Sequence, residues 1–198
     1  MTGSSQIRIM IREAIREQTL IQQIARGSTK AMKMFYDTYS GYLTAVCTRY
    51  ISNEEDVKDI LQDSFIKIFK VADKFKYRGE GSLKAWSSRI VVNEALKHIK
   101  EKQKMKETNL PNWNLPDQTD DVDPDFDDIP ITVITDMIRS LPIGYRTVFN
   151  LYILENKSHK EIASLLSITE NTSASQLHRA KGLLIREIEL YRLEKKTL

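Results

Sequence analysis

Asp56, Asp59, Gln62 and Asp63 recur at three- and four-residue intervals, so a helix through them gathers three carboxylates and an amide on one face. Acid–base catalysis is a poor reading of that face. Nothing beside it in sequence would raise a carboxyl pKa, and no cleft is implied. Such a row either solvates a surface helix or meets a basic partner. A second group lies in residues 74–106, which hold ten Lys or Arg and only three acids, Glu80, Glu94 and Glu101. Arg89, Asn93, Lys97, Lys100 and Lys104 share one helical face there, after a tight loop, Gly79, Glu80, Gly81 and Ser82. Trp86, Phe75 and Tyr77 stand nearby. A basic stripe with adjacent aromatics suits phosphate neutralisation and stacking of exposed bases. The bland readings are a solvated face for the stripe and core packing for Trp86.

The third group runs from Ser158 to Lys181. Ser158 and Glu161 have capping-box spacing and open a helix with Ile162, Leu165 and Leu166 facing inward. Ser167, Ile168 and Thr169 form a short turn, and Thr169 caps a second helix that buries Leu177, Ala180, Leu184 and Ile188. Thr172, Ser175, Gln176 and Arg179 are expected on its exposed side. The pattern is that of a helix-turn-helix, with a generic helical hairpin as the alternative. Ser167 stands where such turns often use Gly, at a position that often needs positive φ.

The rest of the composition excludes most enzymes. There is one Cys, so no internal disulfide, and the three His form no metal pair at helical spacing. No Gly-rich phosphate loop and no Gly-x-Ser-x-Gly elbow occur. No catalytic residue, metal or cofactor is expected. No apolar run is long enough to span a membrane and no signal peptide is visible, which points to a soluble, cytoplasmic chain.

The elements that must position these groups are helical throughout. Period-two alternation is absent, whereas Val57, Ile60, Leu61, Ser64, Phe65, Ile68, Phe69 and Ala72 follow three-four spacing. Ser52 and Glu55 have capping-box form before that helix. Further helices are expected over 18–26, 29–50, 82–105, 130–140, 142–155, 159–166 and 170–192. Between the two helical parts, residues 117–128 hold seven Asp and no Lys or Arg, while the remainder carries 30 basic and 20 acidic side chains. Four of the five prolines fall between Pro111 and Pro130. This reads as a flexible acidic linker; its sharper reading is an acidic segment that fills a groove made for nucleic acid. The fold class is therefore all-α, with two helical domains.

With those residues in view, the chain resembles a sigma-70 family RNA polymerase sigma factor of the extracytoplasmic-function (ECF) group, with wording similar to Bacteroidetes members. DVKDILQDSFIKIFK is similar to the region 2 helix that binds the clamp helices of the polymerase largest subunit. GEGSLKAWSSRIVVNEALKHIKEK is similar to the segments that open and read the −10 element. LPIGYRTVFNLYILENKSHKEIASLLSITENTSASQLHRAK is similar to region 4, which reads the −35 element.

The resemblance implies an N-terminal helical extension (1–17), region 2 (18–106), a linker (107–129) and region 4 (130–198). It implies core polymerase, through clamp helices and flap, as partner, with promoter DNA and an anti-sigma factor. Asp56, Asp59, Gln62, Asp63 and Phe65 would meet polymerase. Gly79, Glu80, Gly81, Ser82, Trp86, Arg89, Asn93, Lys97 and Lys100 would meet the −10 element. Asn171, Thr172, Ser175, Gln176 and Arg179 would meet the −35 region. The linker's 23 residues reach roughly 75–80 Å extended, against about 58 Å for elements 17 base pairs apart.

One departure matters. No Lys or Arg lies between Asn171 and His178, and Ala174 stands where the family usually has a basic residue. Two readings stay open. Recognition of −35 is weak and a recruiting partner, an activator or an RNA-guided DNA-binding protein, delivers the factor; or neutral contacts suffice. Residues 1–17, with Ile7, Met10, Ile11, Ala14 and Ile15, are a partner-binding arm or a helix packed on region 2. The rivals outside this family are a helix-turn-helix repressor without polymerase contact and a helical enzyme.

Overall fold

The computed structural model describes residues 16–105 and 123–197; Lys104, the extension at 1–15 and linker residues 106–122 lie outside the described side chains. Among the described residues there is no strand, and no helix is long and apolar enough to cross a membrane. The packing parts into two compact units between His98 and Ile99.

The first unit holds α1 (residues 16–25), α2 (Thr29–Thr48), α3 (Glu54–Lys70), a 3-10 turn (Ala72–Lys74) and most of α4 (Ser82–Met105). Ser28 caps α2 by accepting from the Ala31 amide. At α3 the expected cap is displaced by one residue: Asn53, not Ser52, accepts from the Asp56 amide at 2.9 Å. Both residue types cap well, so the shift by one residue keeps the helix end satisfied. Glu54, Glu55 and Asp56 in the first turn and Lys67 and Lys70 in the last complement the helix dipole. Ser82, which the sequence offers as a cap for the helix running to about 105, is instead the first residue of α4; its hydroxyl accepts from the Arg78 amide.

Leu20, Ile24, Phe35, Leu43, Val46, Ile60, Ile68, Leu83 and Val91 fill the core. Phe35 meets Phe65 and Phe69 edge-on at 6.1 and 5.8 Å, which locks α2 to α3. Each such fully buried large side chain contributes about 1.5–3 kcal/mol.

The second unit holds α5 (Ile131–Ser140), α6 (Ile143–Phe149) with a π turn over Asn150–Leu154, α7 (His159–Leu166) and α8 (Glu170–Thr197). The expected single helix over 142–155 thus changes its winding at Asn150. Pro142 ends the preceding segment, and Tyr145, Val148, Phe149, Leu151, Ile162, Leu177 and Leu184 pack together. Arg146 is buried, and its Nη1 donates to the Arg139 carbonyl at 2.6 Å.

The capping box at α7 is complete. Ser158 accepts from the Glu161 amide, and the Glu161 carboxylate accepts from the Ser158 amide at 2.9 Å beside Lys157. Those bonds hold the Glu161 carboxyl down at about 2, from an ordinary value of 4.5. A depressed carboxyl stabilises the fold above its unfolded pKa and ceases to as pH falls through its folded pKa. Stability of the second unit should therefore decline between about pH 4.5 and 2 in part through Glu161. Circular-dichroism melts across that range should show a flatter decline for Glu161→Gln; parallel curves would contradict this.

Candidate nucleic-acid interface

On α3 the acidic face is present, with two revisions. Asp59, Gln62 and Asp63 are exposed, whereas Asp56 is half-buried with its carboxylate 3.5 Å from His98 Nε2. Phe65 is not on this face. It is only 7% exposed, wedged against Phe35, Tyr36 and Phe69. Aromatic side chains from α2 cover it, in keeping with its place in the three-four stripe and against the interface role the resemblance implied. In its place stands Ile66, 56% exposed and three residues after Asp63. Its phase with Asp59, Gln62 and Asp63, outside the three-four core stripe, was the signal that could have found it. An exposed apolar side chain beside carboxylates is suited to a partner that is basic and partly apolar.

The loop before α4 is built on two left-handed glycines, Gly79 at φ +120° and Gly81 at φ +75°. Neither backbone position suits an L side chain, so the tight turn depends on them. Glu80 projects between them, exposed. Two cavities adjoin this region. One of about 330 Å³ is lined by Leu20, Met34, Tyr39, Glu80, Gly81 and Lys84 among others. The other, about 360 Å³, is lined by α1 side chains with Phe75 and Tyr77. Both match the lower end of small-ligand pockets, roughly 300–1,000 Å³. Tyr39 bounds the first cavity; burial and the Glu17 carboxylate push its phenol up to about 12.

Along α4, Arg89, Asn93 and Lys97 are exposed on one face and Lys100 is half-buried. Val91, Ala95, Leu96 and Ile99 bury the other side. Trp86 is half-buried with Phe75 edge-on at 5.4 Å, so it serves packing while part of its ring stays open. Lys84 lies 3.9 Å over the Tyr42 ring, and Ser88 donates to the Tyr42 hydroxyl at 3.2 Å; these fix the start of α4 on α2.

In the second unit α7 and α8 form the helix-turn-helix. Ser167 takes the left-handed conformation at φ 59°, ψ 43°, as the turn requires, and the Ile168 amide closes back on the Ala163 carbonyl at 3.1 Å. Thr169 caps α8, accepting from the Thr172 amide at 3.0 Å. Asn171 and Ser175 are exposed, and Thr172 and Arg179 are half-buried. Gln176 departs from expectation: it is 7% exposed, because it shares the inward stripe with Ser173, Leu177 and Ala180. Its amide lies over Gly144, which has no side chain to displace it. Gln176 therefore leaves the set of side chains available to a ligand. Ser173 is held in the same layer by His159 Nδ1 at 2.9 Å. Sequence reasoning also missed the exposed apolar run Tyr152, Ile153 and Leu154 on the π turn.

Among the described residues no cluster of His, Cys, Asp or Glu could hold a metal ion. The chemistry is that of recognition: an acidic-apolar face, a basic face and a glycine-framed loop in one unit, and a helix-turn-helix in the other.

Comparison with known proteins agrees in order and position. The family model "Sigma-70 region 2" matches residues 35–105, and "Sigma-70, region 4" matches residues 131–184. The ECF RNA polymerase sigma-E factor of Haemophilus influenzae is 26% identical over 187 residues, covering 89% of this chain and 97% of that one. The sigma-E factor of Escherichia coli K12 is 23% identical over 198 residues, covering 89% and 96%. Among solved structures, CnrH in complex with the cytosolic domain of CnrY is 19% identical with TM-score 0.44, over 88% of this chain and 97% of that one. The sigma factor RpoE in complex with the anti-sigma factor NepR from Bartonella quintana is 18% identical with TM-score 0.46, over 81% and 98%. With both sigma-70 regions matched in order over more than half of its length, the chain belongs to the sigma-70 family as an ECF sigma factor, a non-enzymatic subunit that binds core RNA polymerase and promoter DNA to start transcription.

Proposed function

We propose that Asp59, Gln62, Asp63 and Ile66 form the contact with the clamp helices of the polymerase largest subunit, and that the opposite chemistry on α4 follows the −10 DNA. The observation that carries this reading is the pairing, within one unit, of an exposed acidic-apolar face on α3 with exposed Arg89, Asn93 and Lys97 on α4. A bridge between a basic protein surface and an anionic duplex needs both faces. The loop Gly79–Ser82, with its neighbouring cavities, receives bases that leave the stack, and Trp86 supports it. Residues 18–106 act as region 2, residues 107–129 as linker and residues 130–198 as region 4, whose Tyr152, Ile153 and Leu154 are offered to the polymerase flap. The factor works in the cytoplasm, where polymerase is, with an anti-sigma factor as a further partner; the similar RpoE of Bartonella quintana is solved in complex with the anti-sigma factor NepR.

Contacts at −35 are weak in this reading. Asn171, Thr172, Ser175 and Arg179 remain, and burial of Gln176 removes one neutral donor from an already cation-poor helix. Each bidentate base contact that is absent forfeits about 1–3 kcal/mol of discrimination. A recruiting DNA-targeting partner then complements the −10 contacts.

Lys97→Ala tests the α4 assignment. Loss of one phosphate contact should lower the log–log salt slope of DNA binding by about one unit, similarly for all sequences. An unchanged slope and affinity would leave α4 a merely solvated face.

A further inference from the structure

Helix α8 runs past its own core. Ile188, 3% exposed, is its last buried side chain among the described residues, and the helix continues to Thr197. The match to region 4 ends earlier still, at residue 184. The tail over 189–197 therefore gains little from packing, and helices that short are marginal in water on their own. One side of the tail is engaged within the unit. Lys181 pairs with Asp123 at 2.8 Å and Arg192 with Asp125 at 3.0 Å, while Lys195 Nζ stands 5.7 Å over the Tyr191 ring. At about 100° per residue, Lys181 and Arg192 lie roughly half a turn around the helix from Leu190.

The opposite side is apolar and open. Leu190 is 54% exposed and Leu193 61% exposed, and half-buried Leu183 lies two turns before Leu190 in the same row. Glu187 and Glu194, both exposed and two turns apart, form one edge of that row. The other edge is mixed, with Glu189 and Lys196, and Arg186 stands within the row. Edge charges choose the partner when helices pair along an apolar seam. Two identical faces would bring Glu187 and Glu194 together in an antiparallel pair, and Glu189 and Glu194 together in a parallel one. Like charge thus opposes a second copy of this chain. A helix with its own apolar row and Lys or Arg along the edge meets both the leucines and the carboxylates.

We propose that the tail of α8, through Leu190, Leu193, Glu187 and Glu194, is a docking surface for a cationic amphipathic helix of a partner protein. The row continues the phase of Thr172 and Arg179, and Leu193 lies about 21 Å beyond Arg179 along the helix axis. A partner bound to DNA next to region 4 is within reach of it. The inference rests on the reading that such a partner delivers the factor, and it gives that partner a chemistry and a place. Burial of the two leucines supplies the attraction, and the edge charges supply the selectivity.

The test uses the full chain and two labelled synthetic helices of three heptads, each with Leu at both seam positions. One carries Lys along its edges and the other Glu. Fluorescence anisotropy should show the Lys helix binding about tenfold more tightly than the Glu helix. Leu190→Gln with Leu193→Gln should weaken binding of the Lys helix by about tenfold, with the melting temperature unchanged because both side chains are exposed. Glu187→Lys with Glu194→Lys should reverse the preference. Equal binding of the two helices would overturn the docking surface. So would binding of the Lys helix that survives loss of the leucines, which would mark attraction to the acidic linker alone. A dimer in sedimentation that the leucine variant abolishes would make a second copy the occupant and overturn the proposal too. Run-off transcription with core polymerase, measured in parallel, should be the same for the leucine variant and the wild type. Loss in the variant alone would assign the face to polymerase and overturn the partner. No product from either protein would instead overturn the sigma-factor reading, on which the binding of the synthetic helices does not depend.

Discussion

Lysine at both Asp59 and Asp63 should weaken binding to core RNA polymerase at least tenfold with helix content unchanged. Both carboxylates are exposed on α3, and the side chains that pack α3, Val57, Ile60, Ile68 and Phe65, are untouched. Lysine is a good helix former, so the substitution carries little intrinsic cost. Reversal converts two attractions with a basic surface into two repulsions. Close charge pairs across interfaces couple by about 1.5–7 kcal/mol, and a tenfold loss needs only about 1.4 kcal/mol. Titration of labelled factor with core enzyme reads the effect. Unchanged affinity would sink the assignment of this face.

The opposite outcome is expected two residues further along. Phe65→Ala should destabilise the first unit by about 3–5 kcal/mol, as truncation of a buried aromatic does. Phe65 meets Phe35, Phe69 and Tyr36 at centroid distances of 6.1, 6.1 and 4.9 Å, so the void would open between α2 and α3. Phe65→Leu retains most of the volume and should keep both the fold and polymerase affinity. Urea unfolding measures the first change and the same titration the second. A loss below about 1 kcal/mol for Phe65→Ala, with polymerase binding lost, would return this ring to the interface.

These two positions show what periodicity carries and what it does not. Asp59, Gln62 and Asp63 were legible as an exposed face because polar side chains in helical phase have one way to face. Periodicity already set Phe65 in the three-four stripe with Ile60 and Ile68, and its burial agrees; the interface role came with the family resemblance alone, and Ile66, outside that stripe, was not singled out. The capping box at Ser158 and Glu161 and the left-handed Ser167 were readable because their causes lie within four residues. Gln176 failed for the converse reason: a polar residue suggests solvent, yet the bare backbone at Gly144 leaves room to bury its amide. The acidic segment was evident in composition. Its partners, Lys181 and Arg192, stand 58 to 67 residues later, and nothing in local spacing joins them.

Run-off transcription with purified core polymerase tests the central claim most directly. Templates recovered from the source genome by the factor itself would be transcribed in its presence, then again with the −10 and −35 segments scrambled separately. The account predicts start-site-specific product only when the factor is present, loss of that product when −10 is scrambled, and a loss of less than tenfold when −35 is scrambled. Core enzyme that yields the same products with and without the factor would contradict it.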